Sequence, residues 1–341
     1  MTSRRQVTPL LRWFRERNSC AAWIGGLPGL AVLLIALAGA MAQQPASPSA
    51  HILFLKQDVS QYNLVFEQAR KVIKAANPDV VVDFYDVPRE GPPVVPPATG
   101  KPYGKIVSIG TPAFEAAVKL FPGKEHFYSM IVALDQDLLG KMSEAHRNRI
   151  RGASILAGPS SYVSYAGKIQ ADMKAIGLLY GSNDLDGFVA GLKREAKKAG
   201  VELIVEKVKR RQDLVMSFNR VVEASPDTFF ILPDFTLYDL KAIEHVILNT
   251  FKRGIPCIGP SESFVKSGAL WAFTIEPARV GRQIAEMLSG SQPIASGSDV
   301  QYYEPSSVAL NVIVMENLDL NVPFRIRKDA KLIDPRRDHE E

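Results

Sequence analysis

Apolar runs of strand length alternate with segments of helical periodicity from His51 onward, and near Ser161 the alternation starts again. Such a succession pairs its strands in parallel through right-handed crossovers, with helices covering the sheet. His51 to Leu55 is apolar throughout and reads as a central strand. Ser60 to Ala76 reads as a helix with Ser60 as N-cap and Leu64, Val65, Ala69, Val72, Ile73 and Ala76 as its buried stripe. Strands follow at 80–85, 106–109, 127–133 and 153–157, with a helix opening at Thr111-Pro112-Ala113. The second round places helices at 161–174, 185–199, 214–224 and 237–253 around strands at 176–180, 201–205 and 228–232.

The stretch from Arg253 to Gly290 joins the two rounds. It gives a strand at 256–259, a polar loop Pro260-Ser261-Glu262-Ser263, a strand at 268–273 and a turn at Glu276-Pro277. A helix then carries Val280, Ile284, Met287 and Leu288 at helical spacing. Here the chain leaves one α/β lobe and re-enters the other. The expected fold is two doubly wound parallel-sheet lobes joined by a hinge. One lobe takes 51–158 plus 275–297, and the other takes 159–274 plus 298–325, including a last strand at 307–314. Residues 88–102 read as a surface loop, 291–298 as a small-residue linker and 326–341 as a solvated tail.

The first 42 residues fit an export signal: Arg4, Arg5, Arg12, Arg15 and Arg17, an apolar run from Gly29 to Met41, and a cleavage site at Ala40-Met41-Ala42. An uncleaved anchor is the rival reading, against which Gly25, Gly26, Pro28 and Gly29 break the apolar run. Cleavage makes Gln43 the first mature residue, with a short tether at 43–50. Those 42 residues hold five Arg and one Glu, so +4 of the formal +5 leaves with them. A mature charge near +1 gives no warrant for nucleic acid as a partner. Cys20 leaves too, and Cys257, in an apolar strand, reads as a buried thiol.

Enzyme signatures are sparse. Neither G-x-G-x-x-G nor G-x-x-x-x-G-K-[ST] occurs, and the five His are scattered without ligand spacing, so no cofactor and no metal are expected. Gly259-Pro260-Ser261-Glu262-Ser263 misses the nucleophile elbow at its last position. What remains is a set of small polar groups at strand carboxyl ends, where an open α/β sheet binds its ligand. Gln57, Asp58 and Ser60 follow the first strand, and Gly110 and Thr111 the third, where a helix start offers free N–H groups to an anion such as a carboxylate. Asp135 ends the fourth strand. Ser160, Ser161 and Tyr162 lie where the lobes join. Ser182, Asn183 and Asp184 open the second lobe, Asp234 and Thr236 follow a later strand, and Ser261 follows the strand at 256–259. Each of these groups alone is more often just a helix N-cap, a role that suits Thr111, Ser161 and Asp184 well; the collective placement is the stronger signal.

Several of these segments resemble a known family. Ser108-Ile109-Gly110-Thr111-Pro112-Ala113, Ile155 to Ser161 and Gly177-Leu178-Leu179-Tyr180-Gly181 are similar to substrate-binding proteins of bacterial ABC transporters. The group is the type I periplasmic-binding-protein one that includes tryptophan-binding-like members. Arg253-Gly254-Ile255-Pro256, Gly268-Ala269-Leu270, the run Gly281 to Leu288 and Leu310-Asn311-Val312 extend the resemblance over nearly the whole mature chain. Where members commonly carry Asp-Pro, this chain has Asp135-Gln136.

The resemblance implies a periplasmic, monomeric, non-enzymatic protein. It would close on a small polar solute, an amino acid or related carboxylate, and deliver it to an ABC permease in the inner membrane. Two alternatives stay open: a ligand-binding receptor for a membrane kinase, and an exported α/β hydrolase using Ser261. Trp271 is the one tryptophan beyond the signal segment. It falls on the strand entering the lobe crossover, where closure would be felt by its emission.

Overall fold

The computed structural model describes residues 51–88, 102–290, 300–334 and 336. The export signal, most of the Pro-rich loop and the linker lie outside the described residues. No helix among the described residues is long and apolar enough to cross a membrane.

The first round of alternation builds β1 (His51–Lys56), α1 (Ser60–Ala76), β2 (Val81–Asp86), β3 (Tyr103–Ile109), α2 (Thr111–Leu120), β4 (Glu125–Ile131) and β5 (Ile150–Ala157). Between β4 and β5 run two short helices, α3 (Gln136–Gly140) and α4 (Glu144–Arg147), which the apolar pattern does not announce. The second round gives α5 (Pro159–Ile169), β6 (Ala175–Tyr180), α6 (Asp186–Lys198), β7 (Glu202–Lys207), α7 (Leu214–Glu223), β8 (Thr228–Ile231), α8 (Leu240–Phe251) and β9 (Cys257–Ile258). Then come α9 (Glu262–Lys266), β10 (Trp271–Phe273), α10 (Pro277–Ser289), β11 (Gln301–Tyr303), β12 (Val308–Asn311), α11 (Val312–Asn317), α12 (Phe324–Asp329) and β13 (Lys331–Ile333).

The strands form two sheets. The first runs β11-β5-β4-β3-β1-β2, all parallel. The second runs β13-β12-β10-β9-β8-β6-β7, parallel except where β12 lies antiparallel to β10. The core of each follows its sequence pattern: Leu53, Phe54 and Leu55 of β1 and Phe229, Phe230 and Ile231 of β8 are all essentially inaccessible to solvent.

Two differences from the sequence reading concern the C-terminal third. Gln301–Tyr303 pairs with β5 and so belongs to the first sheet, although the sequence division assigns 298–325 to the second lobe. The region read as a solvated tail contains β13, which pairs with β12 and buries Ile333. Three-residue strands have no period of their own; neighbouring strands place them.

Among the described residues the chain therefore crosses between the sheets three times: after β5 into α5, after β10 into α10, and after β11 into β12. Helix α10 returns to the first sheet by packing on α1. A Cβ at Gly281 would lie 2.7 Å from the Val65 carbonyl oxygen and 2.8 Å from the Ala69 nitrogen, so only glycine allows this approach. Val280, Ile284, Met287 and Leu288 are buried there, each contributing about 1.5–3 kcal/mol relative to exposure. At the crossings one aromatic cluster ties the sheets together. Tyr162 lies 4.5 Å from Phe230, 4.9 Å from Phe273 and 6.2 Å from Trp271, and Phe188 lies 5.9 Å from Tyr302.

Candidate functional site

In each sheet the strand order reverses once. The orders β2-β1-β3-β4-β5 and β7-β6-β8-β9-β10 are both doubly wound with the reversal beside the first strand. At such a switch point neighbouring crossovers leave in opposite directions and a crevice opens at the strand carboxyl ends. The candidate site is built from these two crevices.

The first lies between β1 and β3. The chain turns after β1 with Val59 N–H donating to the Gln57 carbonyl at 2.9 Å, and Asn63 Nδ2 donates to Asp58 Oδ1 at 2.9 Å. The N-cap of α1 is Val59 without a side-chain bond; Ser60, expected as the cap, is the first helical residue and is exposed. Across the crevice Gly110 has φ +91°, and a Cβ there would sit 2.8 Å from the ring and hydroxyl of Tyr62. Tyr62 thus lies directly on the end of β3, and burial raises its pKa, which keeps the phenol a neutral donor. Gly110 N–H is fixed to the Ser129 carbonyl at 2.9 Å.

Helix α2 starts at Thr111 with Gly110 as N-cap and no side-chain cap, so Thr111 is exposed and does not cap. The N–H groups of this first turn lack intrahelical acceptors and carry the positive dipole end. Alongside, the β4–β5 pairing shifts between Tyr128 and Ile131, and Met130 takes φ 58°. A left-handed non-glycine residue costs about 1–2 kcal/mol, and here it re-aims the chain toward Asp135. Asp135 Oδ1 accepts from Leu138 N–H at 2.9 Å as the N-cap of α3.

The second crevice lies between β6 and β8. Asp234 is 3% exposed and fully engaged. Its Oδ2 accepts from the N–H groups of Gly181 (2.6 Å) and Ser182 (2.9 Å), and its Oδ1 from Thr236 N–H (3.0 Å) and Oγ1 (2.6 Å). Burial alone would raise its pKa, and the bonds from Thr236, Gly181 and Ser182 more than offset this, holding the carboxyl below its ordinary value. Asp234 clamps two strand-end loops together; it offers no spare carboxylate. Ser182 Oγ accepts from Asp184 N–H at 3.2 Å, so Ser182 rather than Asp184 is the cap. Asn183 is exposed and its Oδ1 accepts from Lys207 Nζ at 2.8 Å. Ser261 Oγ lies 2.8 Å from Ser263 Oγ, a hydroxyl–hydroxyl pair, and among the described residues no His, Lys or carboxylate is hydrogen-bonded to it.

Where the sheets join, Ser160 is exposed and Ser161 lies inside α5, whose N-cap is Gly158. Tyr162 is 3% exposed within the aromatic cluster, so it supports the crossing and does not face a crevice. Among the described residues a direct bond spans the two halves near the strand ends: Gln136 N–H donates to Asp184 Oδ1 at 2.9 Å.

Two rings escape a sequence reading based on small polar groups. One is Tyr62, two residues into α1. The other is Phe235, 81% exposed in the loop after β8. A large aromatic directly after a strand-end Asp was the available signal. A cavity of about 810 Å³ opens beside the crevices, between α3–α4, the β4–β5–β11 edge and the start of α6. Of the polar strand-end groups described above, Gln136, Asn183 and Asp184 line it. Among the described residues no group of three or more His, Cys, Asp or Glu could hold a metal ion.

Comparison with known proteins agrees with this architecture. A family model described as ABC transporter substrate binding protein matches residues 143–333. A conserved domain protein from Vibrio cholerae is similar in structure, with TM-score 0.54 and 19% identity over 83% of this chain and 99% of that one. So is an ABC domain in complex with L-Trp from Streptococcus pneumoniae, with TM-score 0.54 and 16% identity over 83% and 99%. A ligand-free, open substrate binding protein with adhesive properties from Clostridium difficile gives TM-score 0.60 and 16% identity over 84% and 99%. No curated protein sequence matches the chain.

Proposed function

We propose that this chain, which belongs to the family of ABC transporter substrate binding proteins, is an exported receptor that closes on a small polar solute and presents it to a membrane permease. The observation that carries the reading is the pair of switch-point crevices, one per sheet, in a chain that crosses between its sheets three times. A solute held by both crevices stabilises the arrangement in which they approach, and the lobe equilibrium shifts by the difference in its contacts between the two states. The lobes take 51–158 with 275–303 on one side and 159–274 with 308–333 on the other.

The solute is an amino acid or a related carboxylate. The uncapped start of α2 at Gly110-Thr111 suits its carboxylate, and Tyr62 and Phe235 offer rings to an apolar body. The L-Trp in the pneumococcal structure makes an amino acid the first class to try. Export rests on the leader at 1–42 and predicts a mature protein starting at Gln43 in the cell envelope.

The test is mass spectrometry of small molecules that co-purify with the protein, followed by titration of the released compound and a panel of amino acids. Binding without turnover is expected, and Thr111→Ala should weaken it while leaving the melting temperature within a few degrees. A protein that carries nothing, binds none of the panel, or consumes its ligand overturns the proposal.

A further inference from the structure

The cavity beside the crevices has a physical origin in the β4–β5 connection. Elsewhere in the first sheet the crossovers carry helices of 17 residues (α1) and 10 residues (α2). Between β4 and β5 the cover is reduced to helices of five and four residues. The sheet face under this short connection stays open, leaving about 810 Å³, within the range of small-molecule sites.

Its walls are chemically specific. Tyr128, Tyr302 and Phe188 supply rings, with Tyr302 edge-on to Phe188 at 5.9 Å. Burial pushes the Tyr128 phenol up to about 12, with Tyr302 adding to the rise, and burial also raises Tyr302. Both phenols therefore stay protonated and can donate. The acids of the second half are already satisfied. Asp186 accepts from Lys207 Nζ at 2.6 and 2.8 Å, and Asp184 accepts from Gln136 N–H at 2.9 Å and Ser182 Oγ at 3.1 Å.

The basic groups differ. Arg151 is ion-paired with Glu125 at 3.1 Å and keeps further N–H groups, whereas the Arg147 guanidinium has no hydrogen bond or ion pair among the described residues. Glu144 also opens on the cavity, one turn before Arg147 and not paired with it. Two guanidiniums and two neutral phenols around an apolar, ring-lined space form a donor-rich pocket.

We propose that this cavity is a second ligand site, separate from the switch-point crevices, that takes a small aromatic carboxylate. The ring lies among Tyr128, Phe188 and Tyr302, and the carboxylate is turned to Arg147 and Arg151. Because Asn183 to Phe188 follow β6 in the second half of the molecule and the other walls belong to the first, an occupant touches both halves.

Benzoate is the probe, titrated by calorimetry into protein purified from cells expressing the full chain, with benzyl alcohol as its uncharged counterpart. Benzoate should bind with one-site stoichiometry. Benzyl alcohol, and benzoate on Arg147→Gln, should each be weaker by at least about tenfold, the loss of one charge-assisted contact. Tyr302→Phe should weaken benzoate less, and Thr111→Ala should leave it unchanged. Arg147 is exposed on a four-residue helix, so its replacement should not disturb the fold, and Arg147→Lys should restore part of the affinity. No benzoate binding overturns the proposal. So does binding that survives Arg147→Gln but is lost in Thr111→Ala, which would place benzoate in the first crevice.

Discussion

Acid should loosen this protein through one residue, His126. It lies on β4 with no exposed surface, its Nε2 3.0 Å from the Phe121 carbonyl and its Nδ1 without a partner among the described residues. The His146 ring lies 5.5 Å away. Burial lowers the His126 pKa; the Phe121 contact opposes this and His146 adds to it, leaving it at about 4 against an ordinary 6.5. The folded state thus prefers neutral imidazole. Stability from this preference is complete above the unfolded value and drains away as pH falls toward the folded one.

Between those two values the loss is about 2 kcal/mol by pH 5 and about 3 kcal/mol by pH 4, at 1.36 kcal/mol per unit. The assay is urea unfolding at pH 7, 5 and 4 for the protein and for His126→Gln. The Gln amide can keep donating to the Phe121 carbonyl but has no proton to gain. The variant's stability should fall less over this range by those amounts, whatever its value at pH 7. Two curves that run parallel from pH 7 to pH 4 would refute the reasoning.

Gly110→Ala combines a positive φ with a 2.8 Å clash against Tyr62 and should cost about 1–3 kcal/mol of stability and weaken solute binding, read by denaturant unfolding and titration. Asp234→Ala leaves four donors at the second crevice unanswered, and a loss of about 3 kcal/mol or more is expected in the same unfolding assay. Trp271 is fully buried 5.2 Å from Phe273, so its emission should be blue-shifted without solute. Because the ring lies in the packed cluster where the crossings meet, that emission should change little as solute binds, contrary to the sequence expectation, and a large saturating shift in emission would contradict this.

The long elements were legible because their periodicity is their own. Ser60–Ala76 and Thr111–Leu120 fall where helical periodicity and Pro112 put them, although Leu64 and Ala76 of the expected stripe are exposed and Phe66 is buried instead. The short ones were not. Helices α3 and α4 bury no residue fully, and β11 and β13 exist only through their neighbours β5 and β12. At the crevices, positions were readable and roles were not. Sequence marked Asp234 as a polar strand end, but its bonds to Gly181 and Ser182 reach a loop 53 and 52 residues away. Expected caps failed for a local reason: Thr111 sits beside Pro112, and Ser161 two residues after Pro159, so Gly110 and Gly158 became the N-caps.

The three crossings limit how such a molecule can close. Two of them run side by side. Thr274 N–H donates to the Ser307 carbonyl at 3.0 Å, the two hydroxyls lie 2.7 Å apart, and Ser306 is hydrogen-bonded to Glu276. Tyr303 OH accepts from Glu276 N–H at 3.1 Å, tying the same pair again. These crossings must bend as one ribbon. The remaining crossing passes Gly158 and Pro159, and a Cβ at Gly158 would lie only 3.7 Å from the Tyr302 ring, so it runs close to that ribbon. Leu156, Ala157, Tyr162 and Trp271 share one packed cluster around all three. A rotation about an axis through this cluster changes few of its contacts, because displacement grows with distance from the axis. The contacts that differ between open and closed arrangements must therefore lie farther out. Those are the strand ends at Tyr62, Gly110 and Phe235, and the Gln136–Asp184 bond between the halves. A solute can drive closure only through groups of that kind, so affinity should respond to changes at the crevices far more than to conservative changes in the cluster.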